Sequence, residues 1–576
     1  MKRLRNYIIL LLVAATAVNC NDMLDVSPKG ILTEDQLSGP ESVDGFVNAA
    51  YAFMPSVHAF STMNPWIASL RSDDAYKGGG GIGDQIPWHE MEVFSLVTAN
   101  VGNNDGVWYN GYQAISRANT AINALNRVSE DEYPLKTERL AEMHFLRGWV
   151  YFKLKRRYKW IPWVTEDDTP QEIYEISNRP DDAEDDLYLW ENIYKEFKFA
   201  AENLPPTQNE LGRANKYAAE AYLVETLLWM AYEQNDKHEV VNINEDRLKE
   251  ALDYANDIID NGGFELAGDF AYNFMLEYDN KSPESIWELQ FSIDDGTPRG
   301  NLNEGNGLTA PWWTPHFSCC DFHKASYNMV NAFKTDPDGL PLFDTFNNSS
   351  AHNDYTSFFT NNSFDPRLGH TVAIPNLPWK YQTEVLYDSS GSRDPEIYGY
   401  FHSMKENVRT DSPGLHDEFW MFNSKNQIEV RLAEVMLWKA EILIQLERHM
   451  EALPIINEIR QRAANSTDKL IFADNSPTLD YGIGLYQAAD WTPEYALEAL
   501  RWERRLEFGM EGRRFYDLVR WGIAAEVMNA YFEVERNRRP WLNVARFVAG
   551  RDEFLPIPQA QMNWSQGVYK QNPGYN

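Results

Sequence analysis

The stretch from Ile428 to Ala463, IEVRLAEVMLWKAEILIQLERHMEALPIINEIRQRA, decides the fold. Leu432, Val435, Met436, Ala440, Leu443 and Ile444 recur at spacings of three and four, which gathers them on one face of a helix. Pro454 sits in the first turn of a second helix, where its missing N–H is harmless, and Ile455, Ile456 and Ile459 continue the apolar pattern. Two antiparallel helices joined by a short link follow from this spacing.

The same pattern repeats outward. Tyr109 to Val128 pairs with Leu135 to Tyr158, Asn215 to Tyr232 with Arg247 to Ile259, and Pro493 to Gly509 with Arg513 to Val527. Small residues, Ala440 with Ala452 and Ala219 with Ala251, fall where paired helices approach closely, as in tetratricopeptide repeats. The expected fold is mostly α, a tetratricopeptide-like scaffold of helix pairs over about residues 40–260 and 428–530. Between its halves, about 264–427 is rich in Gly, Pro, Asn, Asp and Trp, with only short runs such as Ile286 to Ile293. It reads as a large loop-rich insertion with few short strands, facing ligand. A second loop, Asn64 to Val107, holds the run Gly78 to Gly81, whose backbone freedom would be wasted in a packed element. It lacks the Lys-Ser/Thr of a phosphate-binding loop and reads as a mobile surface segment.

Of 576 residues, 86 are acidic and 52 basic, and a formal charge of −34 repels a nucleic-acid backbone. Aromatic residues reach 14%, with 19 Trp and 30 Tyr, more than core packing needs, so some face a ligand. The N-terminus places Lys2, Arg3 and Arg5 before an apolar run, Tyr7 to Val18, too short to span a bilayer. Residues 1–19 therefore read as a signal peptide and Cys20 as a lipid acceptor, followed by the acidic start Asn21-Asp22-Met23-Leu24-Asp25. That start resembles lipoproteins sent to the cell surface in Bacteroidetes. With three cysteines, one of them Cys20, no disulfide framework is available.

Taken in order, several segments resemble the SusD/RagB family of outer-membrane nutrient-binding lipoproteins. They are Cys20 to Asp25, Ser72-Asp73-Asp74, Ala118-Asn119 with Ile122, Phe145-Leu146-Arg147 with Tyr151-Phe152, and Gly212-Arg213-Ala214. Asp365-Pro366-Arg367-Leu368, Arg431 to Glu434 with Ala440-Glu441, and Asn457 to Ala463 follow. The strongest block runs from Glu503-Arg504-Arg505 through Glu507, Glu511 to Arg514, Asp517-Leu518 and Arg520-Trp521-Gly522. It is closed by Leu555-Pro556-Ile557-Pro558 and Asn572-Pro573-Gly574-Tyr575. The resemblance implies a helical scaffold with a loop-rich binding face and no enzymatic activity. It also implies a glycan ligand and a TonB-dependent SusC-like barrel as partner at the outer membrane.

Within that block, Glu503, Glu507 and Glu511 share one helical face, within reach of Arg504, Arg505, Arg513 and Arg514. Neighbouring guanidinium groups keep carboxylates ionised, so the block reads as a structural network.

Sugars present apolar C–H faces ringed by hydroxyls, and aromatic side chains with planar polar groups suit them. Trp66, Arg71, Asp73, Asp74, Tyr76 and Trp88 in the first loop, and Trp312, Trp313, Trp379, Tyr381 and Tyr398 in the second, are the candidates. Trp88, beside Pro87 and beyond the glycine run, and the Trp312-Trp313 pair lead. Asp73 and Asp74 read equally as calcium ligands or turn caps, and no other cofactor is expected. Cys319 and Cys320, flanked by His316 and His323, read first as a vicinal disulfide offering a small apolar platform. Two free thiols come second and zinc last. A protein-interaction scaffold, and a glycoside hydrolase using two carboxylates, stand as alternatives.

Overall fold

The computed structural model describes residues 39–59, 65–183, 185–297, 300–352, 354–416 and 420–575. The signal peptide and Cys20 lie outside the described residues.

Eleven helices carry the architecture: α1 (Pro40–Tyr51), α2 (Asn104–Asn126), α3 (Lys136–Tyr158), α4 (Leu187–Asn203), α5 (Lys216–Ala231), α6 (Glu245–Asn261), α7 (Leu432–Gln445), α8 (His449–Ala464), α9 (Pro493–Phe508), α10 (Arg514–Arg520) and α11 (Ala524–Glu535). Helices α2 to α8 each pack on the next, and α9 packs on both α7 and α8. Helix α6 lies directly against α7 although about 170 residues separate them in the chain, so the insertion leaves the stack unbroken. The sequence pairing above omits α4, whose Leu189, Ile193, Phe197 and Ala200 face α3 and α5. Gly148 of α3 permits that approach, since a Cβ there would lie 2.9 Å from Glu196 Cβ. The marker alanines 219, 251, 440 and 452 are buried at the helix contacts.

Local chemistry sets the ends. Asn215 and Asn244 accept from the backbone N–H of Ala218 and Arg247 to cap α5 and α6, and Thr492 caps α9 ahead of Pro493. Lys155, Arg156 and Arg157 occupy the last turn of α3, where the helix dipole favours cations. Helix α2 begins at Asn104, ahead of the expected Tyr109, and two further features differ from the sequence pattern. Helix α8 begins at His449, so Pro454 falls inside it, at the loss of one backbone hydrogen bond. The expected helix over 513–527 breaks at Gly522, whose φ is +69° and whose Cβ would meet Val240 N at 2.8 Å.

The charged block is buried, with a wiring that differs from the expectation. Arg504, Arg505, Arg513 and Arg514 do not serve the glutamate face. The face of Glu503 and Glu507 receives arginines from other segments instead: Glu507 binds Arg431 at 2.6 Å, Arg367 at 3.2 Å and Arg462, while Glu503 binds Arg367 at 2.8 Å and Arg460. Arg504 turns to Asp517 (2.8 Å), Arg513 to Glu434 (3.3 Å), Arg505 to Asp74 (3.1 Å) and Arg514 to Asp73 (2.9 Å). Arg504 and Arg505 stand roughly 100–200° round α9 from Glu503, and α9 ends at Phe508, so Glu511, Arg513 and Arg514 lie beyond it and Glu511 is not on the helical face expected for it.

Short antiparallel strand pairs tie the loops to this scaffold. β1 (Ala75–Gly78) pairs with β3 (Phe322–Ala325) in the register Ala75↔Ala325, Tyr76↔Lys324, Gly78↔Phe322. β2 (Ser285–Leu289) pairs with β4 (Gln427–Arg431), closing the base of the insertion just ahead of α7.

Candidate functional site

The β1–β3 pair brings the glycine loop beside the segment 308–323. That segment folds back on itself, with Cys320 N and Asp321 N both donating to Ala310 O at 3.0 and 2.8 Å and Phe322 N donating to Leu308 O. Adjacent Trp312 and Trp313 face opposite ways. Trp313 is 5% exposed and packs edge-on to Tyr387 and Trp379, with Phe317 against Trp379 from another side. Trp312 is 44% exposed on that foundation.

Arg393 completes the surface. Its guanidinium lies over the Trp312 ring, 5.0 Å from the centroid, and donates from Nη1 to Asp84 Oδ2 at 3.0 Å and to Cys320 O at 3.2 Å. Asp84 Oδ2 also accepts from Gly80 N at 2.9 Å. Buried Asp321 fixes the backbone beneath, accepting from Arg393 N at 2.8 Å and from Lys324 Nζ at 2.8 Å. At Gly80 a Cβ would come within 2.7 Å of Arg393 Nη2, so a larger residue there would push the guanidinium tip aside.

Lys77 holds the loop from inside. Its ammonium donates to the carbonyls of Gly78 and Gly81, each at 3.0 Å, and to that of Asp84, with the Phe322 and Tyr398 rings 5.3 and 5.2 Å away. Burial lowers its pKa to about 8 against the pull of Glu92 and Asp84. The result is a half-exposed indole with a guanidinium over one face and a carboxylate and backbone groups beside it, the equipment for stacking a sugar ring on the free face and hydrogen-bonding its hydroxyls.

The other candidates lie elsewhere. Trp88 is not on a loop tip: it belongs to the two-turn helix Ile86–Val93, is 1% exposed, and packs edge-on to Trp66 at 4.7 Å and Phe322 at 5.2 Å. Pro87 opens that helix and does not rigidify a loop. Trp66, Arg71, Tyr76, Trp379 and Tyr398 are likewise buried, and Tyr381 Oη is hydrogen-bonded to His370. Asp73 and Asp74 are buried, Asp73 paired with Arg505 and Arg514 and Asp74 with Arg505, and neither presents a surface. Burial raises Asp73, and the two arginines override it and hold the carboxylate below its usual range. Cys319 and Cys320 form a vicinal disulfide, 5% and 3% exposed, so they support the platform from beneath and do not themselves present a surface. His323 pairs with Glu406 at 2.6 Å. Among the described residues no cluster of three or more His, Cys, Asp or Glu is placed to hold a metal ion.

Sequence reasoning missed Arg393 and Asp84. Asp84 follows the glycine run closely enough to be noticed with it, whereas Arg393 stands alone in Ser-Arg-Asp and only the tertiary fold carries it to Trp312.

Two family models match the chain: the SusD family over residues 283–575, and a family described as starch-binding associating with outer membrane over residues 22–228. SusD-like protein P2 of Formosa agariphila is 24% identical over the whole of both chains, and a SusD-like protein of Bacteroides ovatus is 25% identical over 89% of this chain and 82% of its own. Among solved structures, a laminarin binding SusD-like protein superposes with a TM-score of 0.66 at 22% identity, covering 93% of this chain and 100% of that one. Surface glycan-binding protein A from Bacteroides thetaiotaomicron, in complex with laminarihexaose, gives a TM-score of 0.62 at 20% identity over 92% and 99%. These share the helical fold. No described helix is long and apolar enough to cross a membrane. The chain belongs to the SusD family.

Proposed function

We propose that this chain is a lipid-anchored surface protein that captures an oligo- or polysaccharide at the Trp312 platform and delivers it to a SusC-like TonB-dependent transporter of the outer membrane, without catalysis. The observation that carries the reading is the exposed Trp312 indole flanked by Arg393 and Asp84, in a chain whose family and structural relatives bind glycans. Binding without hydrolysis fits the platform, because a hydrolase of this kind sets two carboxylates across a groove, and here Asp84 is ion-paired with Arg393 beside Trp312.

Affinity electrophoresis of the purified protein through gels containing laminarin, starch, xylan or mannan tests the reading. Retardation by at least one polysaccharide, weakened in Trp312→Ala and accompanied by no new reducing ends, is expected. Equal retardation of wild type and Trp312→Ala removes the platform from the account. Recovery of a TonB-dependent barrel with the protein from solubilised outer membranes tests delivery.

A further inference from the structure

We propose that a cavity in the helical scaffold, built from different elements than the Trp312 platform, is a second binding site, for a neutral polyol the size of a mono- or disaccharide. The cavity, about 470 Å³, lies between the hairpin 232–243, the start of α4 and the end of α5. That volume falls in the range of about 300–1,000 Å³ typical of small-ligand sites.

Its walls carry polar groups that the protein leaves unmatched. Trp190 and Trp229 stack at 5.4 Å and 20°, are 6% and 8% exposed, and neither indole N–H has an acceptor among the described residues. His238 is 7% exposed. Gln234 donates from Nε2 to Val519 O at 2.7 Å and Arg520 O at 3.0 Å, so its Oε1 is the acceptor for His238 Nδ1–H at 3.3 Å. The lone pair on His238 Nε2 is then left without a donor among the described residues. Burial first, and then the charge of Lys159, lowers this imidazole to about 3 and keeps it neutral. The Lys159 ammonium, also on the wall, lies 5.8 Å from the Phe554 ring and meets no carboxylate at ion-pair distance among the described residues.

These polar atoms open onto the cavity and meet no protein partner among the described residues, so whatever fills the cavity supplies their partners. The mixture of donors and an acceptor selects its chemistry. A hydrocarbon would leave every one of these groups unmatched. An ion finds no strong net field, because Lys155 pairs with Asp186 and Arg247 with Glu191, while Asp185 and Glu233 at the mouth offset Lys159. A polyol both donates and accepts at each hydroxyl and offers C–H faces to the indoles.

The purified protein is titrated with glucose, galactose, mannose, maltose and laminaribiose by saturation-transfer NMR. At least one sugar is expected to give a saturable signal that persists in Trp312→Ala. The signal weakens tenfold or more in Trp229→Phe, which keeps the aromatic ring and removes the N–H. It disappears in Val241→Trp, because Val241 is 65% exposed on the cavity wall and a large side chain there plugs the mouth. No saturable signal from any sugar, with water alone in the cavity, overturns the proposal. So does a signal indifferent to both cavity variants, or one lost in Trp312→Ala. Polysaccharide retardation reads the platform separately, so failure of either site leaves the other result standing.

Discussion

The Arg393 guanidinium rests over the Trp312 ring at 5.0 Å from its centroid while donating to Asp84 at 3.0 Å, so three segments far apart in sequence meet at one exposed indole. Trp312→Ala removes the stacking surface and should weaken glycan binding by about 1–3 kcal/mol, roughly tenfold to over a hundredfold. A side chain 44% exposed contributes little to the core, so the melting temperature should hold. Calorimetric titration beside thermal unfolding reads both. A fall in stability with unchanged affinity would make Trp312 a packing residue.

Trp88→Ala should behave in the opposite way. With 1% exposure and edge contacts to Trp66 and Phe322, its loss opens a core cavity worth about 3–5 kcal/mol. Denaturant unfolding should show that loss, while the folded fraction, assayed in the cold, keeps its polysaccharide retardation. Full stability combined with lost binding would return Trp88 to the ligand site.

The contrast between these tryptophans shows what was legible. Helix pairs could be read because apolar spacing of three and four records burial on one face, as at Leu432 to Ile444. The unbroken α6–α7 contact across the insertion left no local trace, because nothing near Asn261 or Leu432 encodes their proximity. In the loops no periodicity separates a core tryptophan from an exposed one, and Trp312 and Trp313 differ only through the turn that sends them to opposite sides. The charged block was recognisable as structural, but its partners Arg367, Arg431, Arg460 and Arg462 come from segments that sequence spacing could not connect.

Glu441 gives the buried charges a pH signature. Burial raises its pKa, but Arg520, bound to both carboxylate oxygens, overrides that and holds it at about 2, below the 4.5 of a free glutamate. A carboxylate with a depressed folded pKa contributes stability that is present above the unfolded value and lost as pH falls through the folded one. Glu507, lowered by Arg462, Arg431 and Arg367 against its burial, adds in the same direction. The melting temperature should therefore change little from pH 7 down to about 5 and fall steeply between about 4 and 2. Glu441→Gln should flatten part of that fall and cost about 3–5 kcal/mol at neutral pH by leaving Arg520 uncompensated. A variant with the wild-type acid limb would remove Glu441 from this role.

Cys20→Ala should release the protein from membranes without altering its unfolding curve, because the residue precedes the scaffold in the chain. Fractionation with detergent extraction checks it. Variant protein still in the detergent-soluble membrane fraction would count against the lipid anchor.

Lys77 offers the test that links the interior to the platform. Its ammonium gathers the carbonyls of Gly78, Gly81 and Asp84, and Asp84 in turn holds the Arg393 that covers Trp312. Glycines 78, 79 and 81 all have positive φ, a backbone free to take other conformations, so the lysine adds a constraint to the bonds from Gly79 N to Asp321 O and from Gly80 N to Asp84. Lys77→Met keeps much of the side-chain volume and removes three donors. Hydrogen exchange across 78–84 should then quicken, and polysaccharide affinity should drop several-fold without any change at Trp312 itself. The lysine pKa of about 8 gives a second readout. Above that pH the neutral amine binds the three carbonyls less strongly, so wild-type affinity should decline from about pH 8 upward while the Met variant stays flat. If both proteins show the same pH profile and the same exchange rates, the loop is held without the lysine, by Gly79 N donating to Asp321 O at 2.8 Å and Gly80 N to Asp84 Oδ2 at 2.9 Å.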